Sequence, residues 1–170
     1  MSRKISPYWI VRDHFATLRL WKHTETSRWD VFVFYVLPAI AAGALTWLIP
    51  SISEGALNMT LTVVSIFAGL LLNLLVLIYS IVPKDKGSIN QLEAKWVCLR
   101  AVFANISYTV LVCLVSIVDM GLLKVLHGTL ALPVVYLLFF FLGHFILTML
   151  MILNSVHNIM HTEFDPEERK

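Results

Sequence analysis

The stretch from Asn58 to Pro83, NMTLTVVSIFAGLLLNLLVLIYSIVP, decides the fold. It is built mostly of Leu, Val and Ile, and it exceeds the ~20 residues that carry a helix across a bilayer core about 30 Å thick. No water reaches the backbone there, so the segment must close its own hydrogen bonds as a helix. Its polar and small residues, Asn58, Thr62, Ser65, Gly69, Asn73 and Ser80, recur at steps of three, four or seven. At about 100° per residue they fall in one arc roughly 80° wide. In hydrocarbon such a stripe marks a face that meets other helices or lines a wet path.

Three more apolar runs, at 31–50, 101–118 and 130–153, repeat the pattern. With 58% hydrophobic and 14% charged residues and a mean hydropathy of +0.79, the chain is too apolar for an ordinary soluble domain. The expected fold is an all-α integral membrane protein with four transmembrane helices, at about 31–49, 58–82, 100–119 and 130–156. They form one domain over 31–156, after an N-terminal segment 1–30 and before a tail 157–170. Twelve of the 13 basic residues lie before the first run, between the second and third, or at the end of the chain. Lys124 alone lies elsewhere, so the positive-inside bias places both termini in the cytoplasm.

Residues 1–30 lack the pattern of a cleavable signal peptide. Ser6-Pro7 reads as a helix start. Val11, Phe15 and Leu18 then share a face, flanked by Ile10, His14 and Trp21, with Arg12, Arg19 and Lys22 to the other side. This predicts a short N-terminal amphipathic helix, lying on the inner membrane surface or packed against the chain's own cytoplasmic loop. In the first span Pro38 predicts a kink or a freed carbonyl, and Ala39 and Gly43, with Ala42 and Thr46 nearby, a close-packing face.

Two more stripes follow. Asn105, Thr109 and Ser116 share a face of the third span, with Cys113 at its edge, and His144, Thr148, Met151 and Ser155 share one of the fourth. All these positions are candidate helix-packing or pore-lining residues. Asn73 and His144 fall at nearly the same depth and are expected to seek each other or a common water. The pair then either holds the bundle in register or forms a hydrated relay. Asp119 and Lys124 are expected at the hydrated outer interface. The loop from Lys84 to Lys95, KDKGSINQLEAK, is the best-exposed cytoplasmic connection, and Lys84, Lys86 and Lys95 are its candidate partner contacts.

Enzymatic chemistry has no support among these residues: no nucleophile elbow, phosphate-binding glycine loop, thiol pair or mid-span acid is present. His157 and His161 have the spacing of two zinc ligands but lack a third, so no metal or other cofactor is expected. Cys98 and Cys113 lie about 22 Å apart on one helix and cannot bridge within the chain. The basic residues read as orientation signals and contacts to membrane lipids, with no direct nucleic-acid patch.

Across Ser65–Ser80, SIFAGLLLNLLVLIYS, the chain resembles small bacterial membrane proteins that accompany anti-phage defence genes. These include the four-span membrane subunit of the Kiwa defence system and the multispan membrane protein of the lambdoid Rex exclusion system. The Kiwa resemblance implies an inner-membrane oligomer that senses infection at the envelope and recruits a cytosolic, DNA-binding effector. The residues themselves point to a homo-oligomer, such as a tetramer, with its partner on the cytoplasmic side. The alternatives are an oligomeric channel or pore walled by the second-span stripe, and a passive membrane anchor.

Overall fold

The computed structural model describes residues 7–20, 32–81, 89–126 and 131–164, with only the backbone described at 18–20, 81, 89–98 and 158–164. Every described element is helical: α1 (Tyr8–Leu20), a π-turn (Phe32–Val36), α2 (Leu37–Leu48), α3 (Glu54–Ile81), α4 (Ile89–Leu123) and α5 (Ala131–Phe164). Three helices are long and apolar enough to cross a membrane, within Glu54–Ser80, Leu99–Leu123 and Ala131–His157. The apolar stretch Phe32–Leu48 is shorter, about 25 Å at 1.5 Å per residue.

Local signals explain the helix ends. Ser53 opens α3, its hydroxyl accepting the N–H of Ala56 at 3.3 Å. Pro50 lies just beyond the end of α2. The helix containing the third apolar run starts at Ile89, well before 100, so the second half of the Lys84–Lys95 connection is helix. Likewise α5 runs past 156 to Phe164, since neither Gly nor Pro follows Gly143 before its end.

The helix α4 is the centre of the bundle, with α1, α3 and α5 packed on it and α2 packed on α5. The seam between α3 and α4 is a heptad. Leu57, Val64, Leu71 and Ile78 are buried at steps of seven, and Leu61, Ala68 and Leu75 pack against them at the intervening positions. That alternation of three and four is knobs-into-holes spacing. Around the helix axis, the polar stripe of α3 lies about 130° from this seam. Asn58, Thr62, Ser65, Gly69, Asn73 and Ser80 are accordingly all exposed on the protomer.

The other two stripes point inward. Asn105, Thr109, Cys113 and Ser116 on α4 are buried, as are His144, Thr148 and Ser155 on α5. Several hydroxyls turn back to their own helix: Thr109 to Asn105 O, Ser116 to Val112 O and Ser155 to Met151 O. Of the predicted close-packing face of α2, Ala42 is buried together with Pro38, whereas Ala39 is half-buried and Gly43 exposed beside Tyr136. Pro38 meets α5 at Gly143, where a Cβ would lie 3.5 Å from the Pro38 Cβ.

Candidate functional site

Pro38 creates the first element of the site. In a regular α-helix the N–H of residue 38 would donate to the carbonyl of Phe34, but proline has no N–H. The backbone before it is a π-turn, and the Phe34 carbonyl instead accepts from His144 Nδ1 at 2.9 Å. A carbonyl only accepts, so Nδ1 carries the proton and Nε2 offers its lone pair. Tyr108 Oη donates to that lone pair at 2.7 Å. A neutral imidazole with both nitrogens satisfied thus ties α5 to α4 and to the entry of α2.

Tyr108 extends the network to α1. The His14 ring lies flat on Tyr108, with centroids 3.9 Å apart and planes 1° from parallel. His14 Nδ1 donates to Asn105 Oδ1 at 2.9 Å, and Thr17 Oγ1 approaches Asn105 Oδ1 at 2.8 Å and its own-helix carbonyl of His14 at 2.7 Å. Phe34, Tyr35 and Phe140 close the aromatic wall around the two histidines. Polar atoms without a partner remain in this cluster: His14 Nε2 and Asn105 Nδ2, with Tyr35 Oη beside Tyr108 but outside hydrogen-bonding geometry.

Several expectations change here. Asn73 and His144 do not meet; Asn73 is exposed on α3, and His144 is buried with Tyr108 and Phe34 as its partners. Equal depth was insufficient because the heptad seam turns Asn73 away from α5. The buried side of α1 is polar, His14 with Thr17, while Phe15 of the predicted apolar face is 40% exposed. Asp119 is buried, with Oδ2 unpartnered, instead of standing at a hydrated surface. Lys124 donates to Asn58 Oδ1 at 2.8 Å, which ties the first turns of α3 to the end of α4. Lys84 and Lys86 lie outside the described residues, and Lys95 falls in the first turns of α4, where only the backbone is described.

Sequence reasoning missed His14, Thr17, Tyr108 and Phe34 as parts of one site. One signal was present: Phe34 stands four residues before Pro38, so its carbonyl was the one to need a donor. The pairing of α1 with Asn105 had no local signal. Comparison with models of protein families, with curated proteins and with solved structures finds no match. Among the described residues, the fold is all-helical, and three of its helices are long and apolar enough to suit a multi-pass membrane protein.

Proposed function

We propose that the protein is an oligomeric scaffold of a bacterial inner membrane, crossing it four times with both termini in the cytoplasm. In this reading it serves as the sensor subunit of an anti-phage defence system and recruits a cytosolic effector protein. The observation that carries the assembly role is the outward stripe of α3. Two of the three polar stripes are consumed inside the protomer, whereas Thr62, Ser65, Gly69, Asn73 and Ser80 are exposed. An amide facing lipid is costly, and a second copy satisfies it, since an Asn side chain both donates and accepts. Gly69 has open space where a Cβ would stand, which lets a second backbone approach closely.

The defence role is supported by the resemblance over Ser65–Ser80 and by the concentration of basic residues in segments assigned to the cytoplasm. Neutralising Lys84, Lys86 and Lys95 together is the experiment for the partner contact. The expected result is loss of a cytosolic effector from affinity-purified membranes while the oligomer persists. Retention of the effector would contradict it.

A channel is the second reading, favoured by the same stripe. Hydroxyl and amide groups confined to one arc would line a lumen if several α3 helices faced one axis. Asn73→Leu would then abolish ion flux through the reconstituted protein, whereas a scaffold that docks through its loops keeps its partner after that change.

A further inference from the structure

The helix α1 docks on α4 through a face whose fully buried side chains are polar, with Ile10 and Val11 half-buried beside them. His14 and Thr17 are its buried side chains among those described, and Tyr8, Trp9, Arg12 and Phe15 stand exposed. The polar clamp on Asn105, with the His14 ring stacked on Tyr108, is therefore the buried centre of the α1 contact. His14 Nδ1 must carry its proton to bond Asn105 Oδ1, which leaves Nε2 as a lone pair, fully buried and without a partner. We propose that α1 is a releasable clasp: proton uptake at His14 Nε2 frees α1 from α4 and uncovers Asn105 and Tyr108.

The surroundings oppose a charged His14 while α1 is docked. Facing it are Tyr108 from α4, His144 from α5 and Phe34 from the π-turn, with Tyr35 next to Phe34. The acid beside it on its own helix, Asp13, is turned to Arg12 at 3.6 Å. The Tyr108 face attracts a cation, but loss of hydration outweighs that attraction in a site with no counter-charge. Burial, together with the nearby His144, lowers the docked His14 pKa from 6.5 to about 4, against a raising contribution from the Asn105 bond.

The sign follows from linkage. A lowered pKa on a base means that protons bind the released state better. Docking is intact above pH 6.5 and weakens as pH falls toward 4, by about tenfold between pH 7.5 and 5.5 and by about 300-fold below both values. The clasp stands on the geometry of α1 alone and does not need the assembly role. Its stimulus would be acidification of the compartment that α1 faces.

Hydrogen–deuterium exchange of the full chain in lipid nanodiscs, corrected for the intrinsic pH dependence of exchange, tests this. The expected result is about tenfold less protection of residues 8–17 at pH 5.5 than at pH 7.5, with α4 and α5 unchanged. In His14→Gln, which can still donate to Asn105 but does not titrate, protection of α1 should be equal at both pH values. Side-chain ¹⁵N NMR gives a check that needs no variant, because titration of His14 must coincide with the loss of protection. Equal protection of wild-type α1 at both pH values overturns the proposal. So does a His14 that titrates apart from the loss of protection, or a tenfold loss that persists in a His14→Gln protein whose α1 is docked at pH 7.5.

Discussion

If His144 donates to Phe34 because Pro38 cannot, restoring the missing N–H should make His144 partly dispensable. The perturbation is a double-mutant cycle on His144→Leu and Pro38→Ala. His144→Leu removes the donor at 2.9 Å to Phe34 O and the acceptor at 2.7 Å for Tyr108 Oη. Each buried group so stranded costs ~1–3 kcal/mol in water-soluble proteins. In membranes the measured average per side-chain bond is nearer 0.6 kcal/mol and reaches about 1.7, because the membrane-inserted unfolded state finds other partners. The lower scale applies to this bundle, so His144→Leu should cost roughly 1–3 kcal/mol. Pro38→Ala keeps the Cβ that touches Gly143 and adds a donor for Phe34. The gain in helix propensity appears in both arms and cancels. What remains is the satisfied carbonyl, so Pro38→Ala should stabilise the His144→Leu protein by about 1 kcal/mol more than it stabilises wild type. Reversible unfolding in mixed micelles, followed by far-UV circular dichroism, measures all four corners. A coupling within ~0.3 kcal/mol of zero, or of opposite sign, would refute the link between Pro38 and His144.

Further outcomes follow from the same structure. Gly69→Leu should leave the protomer as stable as wild type or more stable by up to ~1 kcal/mol, since nothing lies within 4 Å of the Cβ it adds and Leu favours the helix over Gly, yet shift the oligomer toward monomer in native mass spectrometry. Leu71→Ala, in the heptad seam and 3% exposed, should destabilise by about 1–2 kcal/mol, less than in a soluble core because lipid also solvates Leu. Leu72→Ala, 51% exposed beside it, should change stability by under ~0.5 kcal/mol, and equal effects of the two would contradict the seam. His14 should make stability pH-dependent: its contribution is full above pH 6.5 and shrinks toward pH 4, with a ceiling of roughly 3 kcal/mol. The unfolding midpoint of His14→Gln should be flatter than wild type over that window.

The helices were legible because hydrocarbon leaves an apolar run of this length one backbone solution. Which residues share a helix face was legible too, because helical periodicity is fixed, and the stripes on α4 and α5 both turn inward, with Met151 half-buried and the other members buried. Which way a stripe points was not. The rank of Leu57, Leu61, Val64, Ala68, Leu71, Leu75 and Ile78 is as regular as the polar stripe, but in a Leu-rich helix it is hidden among other apolar residues. It sets the rotation of α3 and so sends Asn73 outward. His144 was legible as a buried polar group, and Pro38 as the source of a freed carbonyl. Their meeting depended on α2 packing against α5 rather than α3, a choice of neighbour that no periodicity records. The docking of α1 through His14 was hidden for a related reason. Its polar side is the buried one, because Asn105 offers a bond there, and hydrophobic patterning predicts the reverse.

Cysteine cross-linking in lipid is the most direct test of the claim that the α3 stripe is an assembly face. In a background without Cys98 and Cys113, single cysteines would replace Ser65, Gly69 or Asn73 within the stripe, and Val63 or Leu70, which are also exposed but lie outside its arc. A disulfide requires Cα atoms roughly 4.4–6.8 Å apart, so only a face pressed against a second copy should bridge efficiently. Dimers are expected from the stripe positions and monomers from Val63→Cys and Leu70→Cys. Equal cross-linking at all five positions, or none at the stripe, would contradict that claim.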